Sequence, residues 1–438
     1  MKRRRFVKTA SAAGLGVVAA GIRSWAFAAG PPSEKVVVAV MGLNGRGTVL
    51  GKGFARAANA TVAYVCDVDS TVLARGAAAI GGVQSRVPQA VGDFRRALDD
   101  KTVDALVIAA PDHWHAPATI LALQAGKHVY LEKPCGHNAR EGELLVEAQR
   151  KYQRAVQMGT QQRSAPRSIE LVQAITEGLI GRPYLARAWY ANTRGTIGRG
   201  KPAPVPATLD YELWQGPAPR TPYRDNVIHY NWHWFHRWGT GEIANNGTHE
   251  IDVCRWALGV DACTRVVSTG GRYQFEDDWE FPDTQEATFE FAGGKTIVWQ
   301  GQSCNGLPTF GRSRGTLVLG TAGSVVLDRD GYVVYDLKGQ VVREVVAAKP
   351  GNAVDVGADD EATGLHIGNF VDAIRTGAPL RQPIAEGVKS VLLCHLGNIA
   401  QSTGRALRTD RATGRIAGDA DAMKLWEREY APGWMPVV

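Results

Sequence analysis

The sequence predicts two structural parts: an α/β part whose strands form a parallel sheet, then a larger α+β part built on a predominantly antiparallel, open-faced sheet. Three observations carry this expectation. Short β-branched runs alternate with helical stretches up to about residue 160, a glycine-rich turn (Gly42 to Gly47) joins the first strand to its helix, and beyond residue 180 the runs follow one another through hairpin-length connections. At 438 residues the chain is long enough for two domains.

The first segment to explain precedes any strand. Lys2-Arg3-Arg4-Arg5-Phe6-Val7-Lys8 leads into a short apolar stretch, Thr9 to Ile22, and Ala26-Phe27-Ala28 reads as a small-residue cleavage site. Residues 1–28 therefore read as a twin-arginine export signal, too short to cross a bilayer as a stable helix, and they predict a periplasmic protein. The same residues hold Lys2, Arg3, Arg4, Arg5, Lys8 and Arg23 with no acid, so the net charge of +7 falls to +1 without them. Nucleic-acid binding loses its electrostatic argument.

Val36 to Met41, Thr61 to Cys66, Val103 to Ala109, His128 to Leu131 and Ala155 to Met158 read as strands of one domain, residues 34–160. Gly42-Leu43-Asn44-Gly45-Arg46-Gly47 stands at a strand-to-helix turn, where glycines permit a tight turn and close approach of a pyrophosphate. Asn44 replaces the usual central glycine and tolerates left-handed geometry better than most residues. Asp67 closes the second strand 20 residues after Gly47, where a carboxylate accepts from an adenosine ribose and repels a 2′-phosphate. A Rossmann domain binding NAD is expected, with NADP possible.

The second domain is expected over residues 161–438. Arg167 to Gly178 reads as a linking helix, and Tyr184 to Asn192, Arg265 to Gly270, Thr284 to Phe291, Thr296 to Gly301, Gly315 to Gly320, Val325 to Leu327 and Tyr332 to Asp336 read as strands. A Pro-rich loop, Lys201 to Pro222, interrupts them. Helices return at Gly364 to Thr376 and Ile384 to Thr403, and Trp426 to Val438 reads as a surface strap. The six cysteines form no C-x-x-C pair and several lie in apolar runs, which suits buried small hydrophobes better than a disulfide framework. No second apolar run reaches the length of a membrane helix.

The strand His128 to Leu131 ends in Glu132-Lys133-Pro134. With Pro111-Asp112-His113-Trp114-His115, Ala125-Gly126-Lys127, and Gly239-Thr240-Gly241-Glu242 running through His249 to Asp252 and Trp256, the chain closely resembles the glucose-fructose oxidoreductase, inositol dehydrogenase and rhizopine-catabolism family. The resemblance extends over the whole chain after the signal. It implies that Gly42, Asn44, Gly45, Arg46, Gly47, Asp67, Pro111, His115, Glu132 and Lys133 hold the cofactor. It also implies that Lys133 lies by the nicotinamide and the substrate hydroxyl, where an ammonium stabilises an alkoxide and relays its proton. The family's helical Asp and His, four residues apart, map onto Asn245 and His249. Asn245 hydrogen-bonds but holds no charge.

His229, Trp232, His233, Trp234, His236 and Trp238, with Tyr230 among them, crowd the residues before that helix, and aromatic faces beside polar groups suit a sugar, with Tyr230, Trp232, His233, Trp234 and His236 expected to meet it. His233 and His236, with Glu242 and His249, have spacing that a metal can use, but the resemblance accounts for the segment without one and no metal is expected. The leading expectation is an exported, NAD-dependent oxidoreductase acting on a sugar or glycoside hydroxyl with tightly held, internally recycled cofactor. The alternatives are a redox-neutral NAD-dependent glycosidase working by oxidation and elimination, and a non-catalytic carbohydrate-binding protein. The resemblance further implies a homo-oligomer, dimer or tetramer, joined through the sheet face.

Overall fold

Strands β1 (Val36–Met41), β2 (Ala60–Cys66), β3 (Gln89–Val91), β4 (Ala105–Ile108), β5 (His128–Leu131) and β6 (Val156–Met158) pair in parallel in the order β3-β2-β1-β4-β5-β6. The computed structural model describes residues 35–346 and 360–438, so the signal expected at residues 1–28 lies outside the described residues. Helices α1 (Arg46–Arg56), α2 (Ser70–Gln84), α3 (Arg95–Asp99), α4 (Asp112–Gln124) and α5 (Ala139–Tyr152) make the crossovers. Strands β4, β5 and β6 are buried along their whole length, as unbroken apolar runs between two helical layers must be. Edge strand β3 escaped sequence reading because its three residues bury only Val91. The strand order reverses between β1 and β4, and that reversal opens a crevice at the carboxyl ends of the strands.

The linking helix α6 (Pro166–Thr176) begins on a proline, whose fixed φ and missing N–H suit a first helical turn. Strand β7 (Pro183–Ala191), helices α7 (Tyr211–Gln215), α8 (Gly241–Asn245) and α9 (Gly247–Leu258), and strands β8 (Arg265–Gly271), β9 (Thr284–Phe291), β10 (Lys295–Gln302), β11 (Arg314–Gly320), β12 (Ser324–Leu327), β13 (Gly331–Tyr335) and β14 (Val341–Val346) follow. Helices α10 (Glu361–Thr376) and α11 (Ile384–Thr403), strands β15 (Leu407–Thr409) and β16 (Ile416–Ala417), and helix α12 (Ala420–Met423) complete the chain. The ten-stranded sheet runs β14-β13-β12-β11-β7-β10-β9-β8-β15-β16. Its pairs are antiparallel except β7 with β10.

One sheet face is covered. Phe289, Ile297, Trp299 and Val318 pack under Ile251 and Leu258 of α9 and Leu393 and Leu396 of α11. Helix α10 instead inserts Ile367, Phe370 and Val371 beside Leu50, Phe54 and Tyr130, so the returning helices stitch the second domain onto the first. The tail also returns: Trp434 meets Trp114 edge to face at 5.1 Å and the Ala431 N–H donates to the Pro217 carbonyl at 3.0 Å, although Trp426 itself is buried. Cys66, Cys135, Cys254, Cys263 and Cys394 are buried free thiols, and Cys304 is partly so. Among the described residues no helix is long and apolar enough to cross a membrane.

One buried carboxylate joins the linker, α9 and α11. Asp252 accepts from Arg163 Nε at 2.7 Å and Nη2 at 2.9 Å, from Ser390 Oγ at 2.6 Å and from Gln382 Nε2 at 3.0 Å. Burial alone would raise its pKa, but the charges and donors of Arg163, Arg255 and Ser390 hold it below the ordinary carboxylate range. Asp252→Ala strands the Arg163 guanidinium and is expected to cost about 3–5 kcal/mol of unfolding free energy. Urea denaturation checks this, and a loss under about 1 kcal/mol, the size of an exposed pair, would remove Asp252 as a hub.

Candidate active site

A cavity of about 400 Å³ begins over the Gly42–Gly47 turn and runs past Asp67 to Lys133 and His249. The turn is as tight as its sequence requires. A Cβ on Gly47 would lie 1.6 Å from the Gly42 carbonyl oxygen, and one on Gly42, at φ +82°, would lie 2.7 Å from Ala109 O. Gly45, at φ +102°, faces open space and starts α1 without a side-chain cap, so the N-terminus of α1 lies at the cavity wall, where a helix suits an anion. Asp67 ends β2 and lines the cavity with one oxygen on the Leu43 N–H at 2.7 Å and the other on the Asp69 N–H at 3.0 Å. Each oxygen keeps a second lone pair for a ribose hydroxyl. These features fit a dinucleotide.

Glu132, at the end of β5, positions its neighbours. It accepts from Arg46 Nε at 2.8 Å, from Gln161 Nε2 at 3.1 Å and from the Lys133 N–H at 3.3 Å. Burial would raise its pKa, yet the Arg46 and Lys133 charges keep it below the usual range. Pro111 begins α4 at the cavity wall, and His115 faces the Pro134 and Ala110 carbonyls with its two ring nitrogens, fixing the segment that carries Lys133.

The Lys133 ammonium donates to the Asn245 carbonyl and, at 3.3 Å, to Asn245 Oδ1. Burial pulls it below the ordinary lysine value, against the opposing charges of Glu132 and Asp112. The expected single helix carrying Asn245 and His249 is broken at Asn246, which separates α8 from α9 with φ −107° and ψ −35°. Asn245 therefore orients Lys133, and its Nδ2 donates to Glu242 Oε1 at 3.4 Å instead of meeting the imidazole. The continuous helix expected through Asn245 and His249 is thus two helices. His249 lines the cavity, and burial, followed by the charges of Lys133, Arg329 and Arg314, drives its pKa well below 6.5, so it is neutral.

The aromatic cluster divides. Tyr230, Trp232 and His233 line the cavity; Trp232 stacks on His233 at 3.6 Å, and burial lowers the His233 pKa to about 3. Trp234 does not line it: the indole is buried and stacked on Trp279 at 3.9 Å. His236 faces a different cavity of about 290 Å³ with Phe281, His137 and His395. Trp234 ends a short 3₁₀ turn, residues 231–234, whose side chains radiate to different sides, and the extended backbone at Phe235 carries His236 beyond that turn. Among the described residues no group of three or more His, Cys, Asp or Glu is arranged to hold a metal ion.

Sequence reading missed Gln161, Arg314 and Arg329, all of which line the cavity, as does His229 of the expected His- and Trp-rich cluster. Arg314 is the one residue with a local signal, a charged residue opening an otherwise apolar strand and buried against Glu250 at 2.6 Å. His229 bonds Asp69 at 3.1 Å from across the domain boundary.

The comparisons agree with this architecture. The oxidoreductase family's NAD-binding Rossmann fold matches residues 36–160, and the same family's C-terminal alpha/beta domain matches residues 186–325. The chain is similar to an inositol 2-dehydrogenase of Rubrobacter xylanophilus, 32% identical over 164 residues, which are 36% of this chain and 45% of that relative. It is similar to a glycosyl hydrolase family 109 protein of Shewanella sp., 30% identical over 164 residues and 36% of each chain. The chain thus spans about half the length, or less, of these curated relatives. A levoglucosan dehydrogenase solved with NADH and levoglucosan shares the fold, with a TM-score of 0.67, 19% identity, and coverage of 86% of this chain and 99% of that one. Matched in both domains and in the family's order, the chain belongs to the glucose-fructose oxidoreductase, inositol dehydrogenase and rhizopine-catabolism oxidoreductase family.

Proposed function

We propose that the protein is an NAD-dependent oxidoreductase acting on a sugar or glycoside hydroxyl. The observation that carries this reading is the convergence of Lys133 and a neutral His249 at the end of a cavity that starts at a dinucleotide-type glycine turn. When bound, NAD supplies hydride exchange with the carbon that bears the reacting hydroxyl. Lys133, in its amine form, takes the hydroxyl proton, and as ammonium it stabilises alkoxide character. His249 accepts or donates a hydrogen bond without competing for that proton, because burial and surrounding cations disfavour its charged form. Asn245 holds the Lys133 nitrogen in place, and Trp232 and His233 offer stacked apolar surface to a sugar ring.

A roof over the adenosine end supports tight cofactor retention. The segment before α8 crosses to the first domain, where the Ser70 N–H donates to the Thr208 carbonyl at 2.9 Å, the Asp210 N–H to the Val68 carbonyl at 2.9 Å, and His229 bonds Asp69. Such retention suits export of a folded, loaded protein through the signal pattern at residues 1–28. Association as a dimer or tetramer through the open sheet face belongs to the same proposal, and Leu185, Leu317 and Leu319 stand half-buried there.

NAD is expected to co-purify near stoichiometry and survive gel filtration. His229→Ala should release it faster, and dialysed wild-type protein free of nicotinamide would defeat the retained-cofactor reading. Lys133→Met is expected to slow oxidation by at least about a hundredfold while NAD stays bound. The wild-type rate should rise with pH as Lys133 loses its proton, and a pKa lowered from 10.5 completes that rise at lower pH than a free lysine needs. A variant that keeps the alkaline rise shows that another group takes the proton.

The likeness to a glycosyl hydrolase family 109 protein favours one second reading, oxidation followed by elimination of the glycosidic bond. Incubation with a glycoside in deuterated water separates the two. Net oxidoreduction leaves the glycosidic bond intact and the carbon-bound hydrogens unlabelled, which is the outcome expected with Lys133 present. Deuterium next to the oxidised carbon together with free reducing sugar identifies the glycosidase.

A further inference from the structure

The cavity of about 290 Å³ that His236 faces has no part in the proposed reaction. It is bounded by α11, by the turn between β5 and α5, by the segment before α8 and by the returning tail. Thr240 stands between it and the catalytic cavity. The Thr240 hydroxyl donates to Asp112, which lines the catalytic side, while the Thr240 carbonyl accepts from Asn398 Nδ2 at 2.7 Å on the other. Helix α11 lies on the covered side of the large sheet, so association through the open face leaves this second cavity free.

Its walls carry hydrogen-bonding groups that the fold leaves unused. His395, on α11, is only 6% exposed; the Gly136 backbone accepts from one side of its ring, and Nε2 is enclosed without a partner. Burial lowers the His395 pKa to about 4, so the ring is neutral and Nε2 is a bare acceptor. Arg428, in the tail, donates through Nη2 to the His113 carbonyl at 2.8 Å and to Glu141 at 3.0 Å, yet its Nε and Nη1 are enclosed donors without partners. Charge, by contrast, is answered inside the cavity. Arg428 has Glu141, burial lowers His137 and His236 as it lowers His395, and the carboxylates at the rim, Glu427 and Glu280, are exposed to solvent. An anion meets no unpaired cation here, and a cation meets the guanidinium. What remains is a demand for groups that both donate and accept, and hydroxyls do both. Phe281 and Ile399 add apolar wall, with the Phe281 ring 4.1 Å from that of His236. Water answers the polar atoms but gains nothing from an aromatic face, whereas a sugar ring presents C–H to the one and hydroxyls to the other. The volume is close to the lower bound of small-molecule sites, about 300 Å³.

We propose that this cavity is a second carbohydrate site, separate from the catalytic one, which binds a neutral sugar or polyol with one hydroxyl donating to His395 Nε2 and another accepting from Arg428. The proposal goes beyond the oxidoreductase reading and does not depend on it.

Calorimetric titration of the NADH-saturated protein tests it, since the reduced cofactor permits binding without turnover. The probes are glucose, galactose, mannose, xylose, glucitol and myo-inositol, with glucuronate and glucosamine as charged counterparts, and crystals are soaked in whichever probe binds. At least one neutral probe is expected to bind with a Kd at or below about 1 mM and to appear against His395 in the crystal. Ser402→Trp, at the exposed mouth on α11, should remove that equivalent of bound probe from each chain and leave NADH affinity, read by fluorescence, unchanged. His395→Leu, which keeps bulk but offers no acceptor, should weaken the same equivalent by about fivefold or more. No neutral probe reaching that affinity, density in the cavity at soaking concentration only, a charged counterpart binding about tenfold or more tighter than every neutral probe, or binding that resists both variants would each overturn the proposal. The wild-type crystal decides the matter even if a variant fails to fold. Loss of this site leaves the oxidoreductase reading standing, whereas absence of NADH binding defeats that reading alone, because the same titration runs without cofactor.

Discussion

The carboxylate of Glu132 is the constraint around which the site is assembled. It sits at the end of a fully buried strand, where an unpaired charge is prohibitive, and besides the adjacent Lys133 N–H it is satisfied by groups drawn from elsewhere: Arg46 at the start of α1 and Gln161 in the linker. Arg46 continues to the Thr363 hydroxyl of α10 at 3.3 Å. The glycine turn, the catalytic candidate and the returning helix are therefore held by one electrostatic requirement. Asp252 repeats the device within the second domain, where it ties the linker to α9 and α11, while the two domains meet through the Gln161 and Thr363 hydrogen bonds to Glu132 and Arg46 and through the apolar contacts of Ile367 and Phe370. Directional bonds of this kind fix relative orientation, which an apolar seam alone leaves free to slide.

That seam also determines how the site handles protons. Burial lowers Lys133 and His249 alike, but His249 faces a ring of cations whereas Lys133 has Glu132 and Asp112 on its side of the ledger of charge. Asp112 is itself buried and donated to by the Thr240 hydroxyl, and desolvation raises its pKa despite the nearby His115 charge. The neutral amide at Asn245 fits this distribution. A carboxylate there would tie up the ammonium in a salt bridge and raise its pKa, whereas the amide oxygens orient it and leave it able to lose a proton.

Most of the fold was legible because its information is local. Strands β1, β5 and β9 fall where their β-branched or alternating runs end, and α11 spans the residues its apolar period marks. What escaped was short or long-range. Strands β3, β15 and β16 offer two or three residues each, too few for a periodic signal, and β14 is largely exposed. In the site, the glycine turn was legible from its place between strand and helix, and Lys133 from the family resemblance of Glu132-Lys133-Pro134 at a strand end. Arg329 was not, because a turn arginine looks like any solvated charge until the hairpin that carries it is folded against α9 and α10. The break at Asn246 was equally invisible, since Gly247 lies inside a spacing that reads as continuous helix.

The aromatic segment explains why the two domains act as one site. Residues 229–233 leave the second domain, contribute His229, Tyr230, Trp232 and His233 to the cavity wall, and tie back to the first domain through Asp69. Trp214, one turn of the same excursion, receives the Trp114 indole N–H on its carbonyl at 3.0 Å and packs against Trp238 at 5.3 Å. The aromatic wall of the cavity is thus continuous with the segment that crosses to Asp69. Under the proposed function, cofactor retention and sugar binding share this one structural element, because a movement that opens the crossing segment also displaces the aromatic wall.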